Sequence, residues 1–136
     1  MQFTIILPPK GQKRARHGVV NGFSRTYKDQ DQRQEESKLA ALLYEHKPAT
    51  PLTGAIRLSV RAFLPMPDGK SKRWKADAEN FRIRPTKKPD ISNLIKQIED
   101  VMNGVFWVDD RQIVEYGHAG KFYGAPARWE IEVEEI

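Results

Sequence analysis

Between Pro89 and Gly104 the chain holds one segment that leaves little choice of structure. On a helical wheel of about 3.6 residues per turn, Ile91, Leu94, Ile95, Ile98, Val101 and Met102 fall on one side; Ser92, Lys96, Glu99, Asp100 and Asn103 fall on the other. Such a stripe predicts a helix over 90–103, and a helix of that length needs an apolar layer to lie on. Asp90 suits the N-cap and the positive end of the helix dipole, and Gly104 suits the exit.

The layer is legible elsewhere. Residues 55–64 alternate, with Ile56, Leu58, Val60 and Ala62 against Arg57, Ser59 and Arg61, which predicts a half-buried strand. Further strands are expected at 3–7, stopped by Pro8 and Pro9, and at 105–108, 111–116 and 128–133. A second helix is expected over about 27–46, polar in its first half, with Leu39, Leu42, Leu43 and His46 on one face before Pro48. One helical turn is expected around 74–80. These elements predict an α+β fold, a mixed β-sheet with two main helices, in a single domain over 1–136.

Composition narrows the function. The chain of 136 residues has no cysteine, which excludes disulfide scaffolds, thiol nucleophiles and thiolate zinc sites. His17, His46 and His118 lack metal-ligand spacing. No apolar run approaches the roughly 18 residues of a membrane span, and the first residues do not read as a signal peptide, so a soluble cytoplasmic protein is expected. The net charge of +5 is concentrated. A basic arm over 10–27, read as a mobile arm or loose hairpin, carries Lys10, Lys13, Arg14, Arg16 and Arg25. A basic loop over 70–88 carries Lys70, Lys72, Arg73, Lys75, Arg82, Arg84, Lys87 and Lys88 against Asp77 and Glu79. Two cationic blocks, with Phe23, Tyr27, Trp74 and Phe81 among them, suit a polyanion such as DNA; the plainer reading is solvated loops.

The segment 88–115 adds carboxylates. If the chain after Gly104 runs extended back along the helix, Asp110 arrives near Asp90. Two converging carboxylates in a basic protein suit Mg²⁺, with Lys96 one turn from Ser92 in reach of a phosphate. The plainer reading makes Asp90 a helix cap and Asp109–Asp110 a solvated turn.

KPD-x-x-NL-x-K from Lys88, D-x-x-NG from Asp100 and DD-x-QIV from Asp109, in this order and spacing, resemble the RusA family of Holliday junction resolvases, often encoded by prophages. The Pro8–Pro9 strand end, the basic arm, the Pro51–Gly54 turn and the lysine-rich loop are similar too, so the likeness spans nearly the whole chain. The resemblance implies a Mg²⁺-dependent homodimer, with Mn²⁺ as an alternative ion, that binds four-way junction DNA and nicks two strands symmetrically in a bacterial or phage-infected cell. It implies Asp90 and Asp110 as catalytic metal ligands, Lys96 as the supporting lysine and Asn93 as the motif asparagine. The two basic blocks supply the candidate DNA contacts: Lys13, Arg14, Arg16, Lys70, Lys72, Arg73, Lys75, Lys87 and Lys88. A second family aspartate falls on Ser92, where this chain departs. Ser92 ligates in its place, Asp109 substitutes, or the protein binds junctions without cutting them. A single-strand or RNA binder stacking bases on Trp74, Phe81 and Phe23 is the remaining alternative.

Overall fold

The amphipathic segment forms helix α3 (Ile91–Met102), and the layer beneath it is a four-stranded sheet. The computed structural model describes residues 1–12, 16–20, 23–27 and 30–136, with side chains for 1–12 and 33–136. In chain order the elements are β1 (Gln2–Ile5), β2 (Arg16–Val20), β3 (Phe23–Tyr27), α1 (Gln30–Tyr44), β4 (Ile56–Leu64), α2 (Lys72–Glu79), α3, β5 (Ile113–Tyr123) and β6 (Arg128–Glu135). The sheet order is β1-β6-β4-β5; β4 and β5 are parallel, joined by a crossover through α2 and α3, and the other pairs are antiparallel. The mixed sheet and the two main helices match the α+β expectation, with α2 as a third, short helix. Among the described residues no helix is long and apolar enough to cross a membrane.

One face of the sheet builds the core. Ile56, Leu58, Val60 and Ala62 of β4, Trp129, Ile131 and Val133 of β6, and Phe3 and Ile5 of β1 pack under Leu39 and Leu43 of α1 and Leu94, Ile98 and Met102 of α3. The opposite face is polar at one end. Arg57 lies in register with Glu134 and Glu115 and pairs with both at 2.9 and 2.8 Å, which holds its pKa above the ordinary arginine value. Ser59 and Phe63 on that face are also buried, so β4 is more enclosed than its alternation predicts.

The basic arm is partly a hairpin: β2 and β3 pair from Arg16 opposite Tyr27 to Val20 opposite Phe23. Lys13 and Arg14 lie outside the described residues. The strand expected at 105–108 is instead a tight turn. Gly104 takes φ +76°, the amides of Val105 and Phe106 both donate to the Met102 carbonyl at 3.0 Å, and Phe106 and Trp107 are both buried. Successive buried residues are incompatible with a half-buried strand. The next strand starts later, at Ile113 after a 3₁₀ turn over Asp110–Gln112, and runs on to Tyr123. At Gly117 a Cβ would collide with the Ser59 hydroxyl, so glycine permits the approach of β5 to β4 there.

Candidate functional site

Asp90 occupies the N-cap position of α3 with extended backbone (φ −70°, ψ 143°), and its carbonyl accepts from Leu94. The expected side-chain cap is absent: the exposed carboxylate makes no hydrogen bond to the first turn and, among the described residues, no ion pair. It stands at the positive end of the helix, free to bind elsewhere. Around it Pro9, Lys10, Gly11, Gln12, Lys88, Pro89 and Asn93 line a concavity of about 690 Å³. Two lysines and one carboxylate on its wall suit a phosphate beside a cation.

The stem of the basic arm is fastened to this helix. Asn93 Nδ2 donates to the Gln12 carbonyl at 2.8 Å. At Gly11 an added Cβ would lie 2.7 Å from Pro89 Cβ and 2.9 Å from Asn93 Nδ2, so only glycine allows the approach. Gln12 Nε2 reaches Asp100 at 3.3 Å and Glu36 at 3.4 Å. The family asparagine therefore holds the arm, a role its motif does not disclose.

Lys96 is exposed and makes a long pair with Asp100, at 4.0 Å, one turn further along the helix. Its ammonium remains available to another anion. Ser92 is exposed in the first turn.

Asp110 is half-buried and accepts the indole N–H of Trp107 at 2.8 Å. Its carboxylate neighbour is Glu99, whose pKa is raised mainly by burial and further by the charges of Asp110 and Asp100. The Tyr116 hydroxyl donates to both Glu99 oxygens, at 2.8 and 3.1 Å. Burial first, and then that bond to Glu99, push the tyrosine up to about 12. Among the described residues no hydrogen bond or ion pair joins Asp110 to Asp90. A tight turn after Gly104 stands where an extended run was expected. Among the described residues no group of three His, Asp or Glu side chains is arranged for a metal.

Asp109 has a structural task. It caps the 3₁₀ turn by accepting from the Arg111 amide at 2.9 Å, while its own amide donates to Gln112 Oε1. Gln112 in turn donates to the Leu52 and Gly54 carbonyls at 2.8 and 3.0 Å.

Lys121 escaped the sequence reading. From β5 its ammonium donates to the carbonyls of Lys87 and Pro89 at 2.8 and 3.0 Å, supporting the backbone just before Asp90. Arg84 Nε donates to the Lys121 carbonyl at 2.6 Å. A single lysine in a strand with no other lysine or arginine was the available sign.

The basic loop is ordered around α2. Ser71 caps the helix by accepting from the Trp74 amide at 3.1 Å, and Lys70 lies 5.2 Å from the Trp74 ring. Lys72, Arg73, Lys75, Lys87 and Lys88 are exposed, and none forms an ion pair among the described residues. Arg16 is placed by its backbone in β2.

The sequence description of the RusA endodeoxyribonucleases matches residues 7–134. The chain belongs to the RusA endodeoxyribonuclease family. The match takes in the uncapped Asp90, the arm stem, the α2 loop and the Glu99–Asp110 pair. A relative in Bacillus subtilis (strain 168), "Uncharacterized protein YqaN", is 31% identical over 138 residues, covering 100% of this chain and 96% of its own length.

Proposed function

We propose that this RusA-family protein is a divalent-metal-dependent endonuclease that binds four-way DNA junctions as a homodimer and nicks two symmetry-related strands. The carrying observation is the Asp90 carboxylate, uncapped at the N-terminus of α3 in a concavity lined by Lys10 and Lys88. A buried cap would have been committed to the helix; this one is not. The donors nearby are all hard oxygens, which fit Mg²⁺ or Mn²⁺. Asp90 and Asp110 are its proposed ligands, with the Ser92 hydroxyl in the place of a family carboxylate and Glu99 beside Asp110. The ion when bound would activate water and stabilise the charge of the phosphodiester in transit. The rest falls to the chain: Lys96 meets a phosphate oxygen, Lys121 fixes the carbonyls leading to Asp90, and Asn93 holds the arm stem.

Lys70, Lys72, Arg73, Lys75, Lys87 and Lys88, with Lys13, Arg14 and Arg16 of the arm, supply the phosphate contacts in this reading. A two-fold dimer matches the two-fold symmetry of paired cuts. Asp90→Asn and Asp110→Asn keep shape and delete ligand charge. Each is expected to lower junction nicking by about a hundredfold or more while leaving junction affinity equal or higher. Wild-type nicking rates in both variants would overturn the assignment.

A second reading, junction binding without cleavage, draws on Ser92 in the place of a family aspartate. In that case wild type binds the junction and leaves it intact at every metal concentration.

A further inference from the structure

Helix α2 ends in an unusual way. The Arg82 amide donates to the Asp77 carbonyl at 2.9 Å and the Phe81 amide to the Ala78 carbonyl at 3.1 Å, the bond pair of a Schellman turn. The residue after the cap in such a turn adopts left-handed backbone and is usually glycine. Here it is Phe81, at φ +64°, and its side chain is 49% exposed. A bulky residue in that conformation is disfavoured, so the position holds an aromatic ring against local preference.

The ring projects over the sheet face opposite α1 and α3. Phe63 of β4 and Phe122 of β5 are register partners there, with centroids 5.1 Å apart. Phe81 meets Phe122 edge-on at 4.8 Å and Phe63 at 6.3 Å. The Arg84 guanidinium lies 3.9 Å over Phe122 and the Arg128 guanidinium 3.9 Å over Phe63. Those two rings are therefore covered by cations, and Phe81 is the exposed member of the cluster. With Arg61, His118, Ala119 and Glu130 the three rings and Arg128 line a recess of about 470 Å³. Glu130 neutralises Arg128 at 2.8 Å, whereas Arg61 and Arg84 form no ion pair among the described residues.

An open ring beside two guanidinia that form no ion pair among the described residues has the chemistry of one nucleotide: a base face to stack and phosphates to pair. The geometry points to this recess as the seat of a single unpaired nucleotide of branched DNA, stacked on Phe81 with its flanking phosphates on Arg84 and Arg61. Continuity with the proposed nuclease site supports DNA as the occupant. Arg84 holds the Lys121 carbonyl, and the Lys121 ammonium holds Lys87 and Pro89, next to Asp90. The inference rests on the junction-nuclease reading and adds to it a way to favour a branch point over plain duplex.

The test uses the full chain in EDTA, a four-way junction carrying 5-iododeoxyuridine at the branch, and a linear duplex of the same sequence. Phe81→Gly places glycine where the turn prefers it and so keeps the fold; Phe81→Tyr keeps a ring. Photocrosslinking of wild type is expected at Phe81. Phe81→Gly is expected to lose the crosslink and roughly five- to a hundredfold of junction affinity, with duplex affinity unchanged and Phe81→Tyr close to wild type. Equal junction affinity for Phe81→Gly and wild type, or equal losses on junction and duplex, would overturn the nucleotide seat while leaving the nuclease reading in place. Failure of wild type to bind the junction at all would overturn both.

Discussion

Glu99 is half-buried beside the charges of Asp110 and Asp100, which Lys96 only partly offsets. Burial and the neighbouring charges of Asp110 and Asp100 raise its pKa, so the folded protein holds a proton that the unfolded chain has released. A raised carboxyl pKa makes stability fall as pH rises from the ordinary glutamate value through the folded one, and the loss persists above it. Glu99→Gln removes that loss while keeping an acceptor for Tyr116. Its melting temperature relative to wild type is therefore expected to be higher at pH 7 than at pH 4. Added Mg²⁺ should narrow the difference by adding positive charge beside the carboxylates. A difference independent of pH between thermal melts at the two values would contradict this account. The residues of this cluster show how unevenly a site can be read. Asp90, Lys96 and Asp110 stand in short motifs, so their identity was available. The partners Glu99, Tyr116 and Lys121 become neighbours only when β5 runs alongside α3, and no local pattern announces that contact.

At the level of elements, α3 was legible because six apolar residues at helical spacing admit one structure. The turn that follows was not, since Val105-Phe106-Trp107-Val108 reads as a strand until Gly104 reverses the chain and both aromatic rings bury. The second half of β5 was hidden as well: His118 and Ala119 are exposed, and Gly117 and Gly120 lower its strand propensity. The arm was legible only as basic and glycine-punctuated, with no sign of what anchors it. That anchor makes a prediction. Gly11→Ala puts a methyl group against Pro89 and displaces Asn93, and Asn93→Ala removes the bond to the Gln12 carbonyl. Each is expected to cost about 1 kcal/mol of stability and to weaken DNA binding through the released arm. Because both act on one contact, the double variant should be little worse than either single one in denaturant midpoint. Fully additive losses would show that the stem is not held by this contact.

Over the whole molecule, charge is sorted by surface. Among the described residues Lys70, Lys72, Arg73, Lys75, Lys87 and Lys88 form no ion pair, while Glu134 of β6 pairs with Arg57 of β4 and Glu130 with Arg128 of its own strand. That leaves the loop and the concavity at α3 as the positive ground around Asp90, where a polyanion would approach. The account turns on whether this ground leads to chemistry with serine at position 92. Ser92→Asp adds a carboxylate on an exposed face at the positive end of α3, so it should fold normally. The most direct measurement is the rate of four-way junction nicking by wild type and Ser92→Asp across a Mg²⁺ titration, with EDTA as the zero point. The expected result is no nicking in EDTA, metal-dependent nicking by wild type, and a half-maximal rate at lower Mg²⁺ for Ser92→Asp. Nicking by wild type that persists in EDTA, or a wild type that binds the junction yet leaves it whole at every Mg²⁺ concentration, would contradict it.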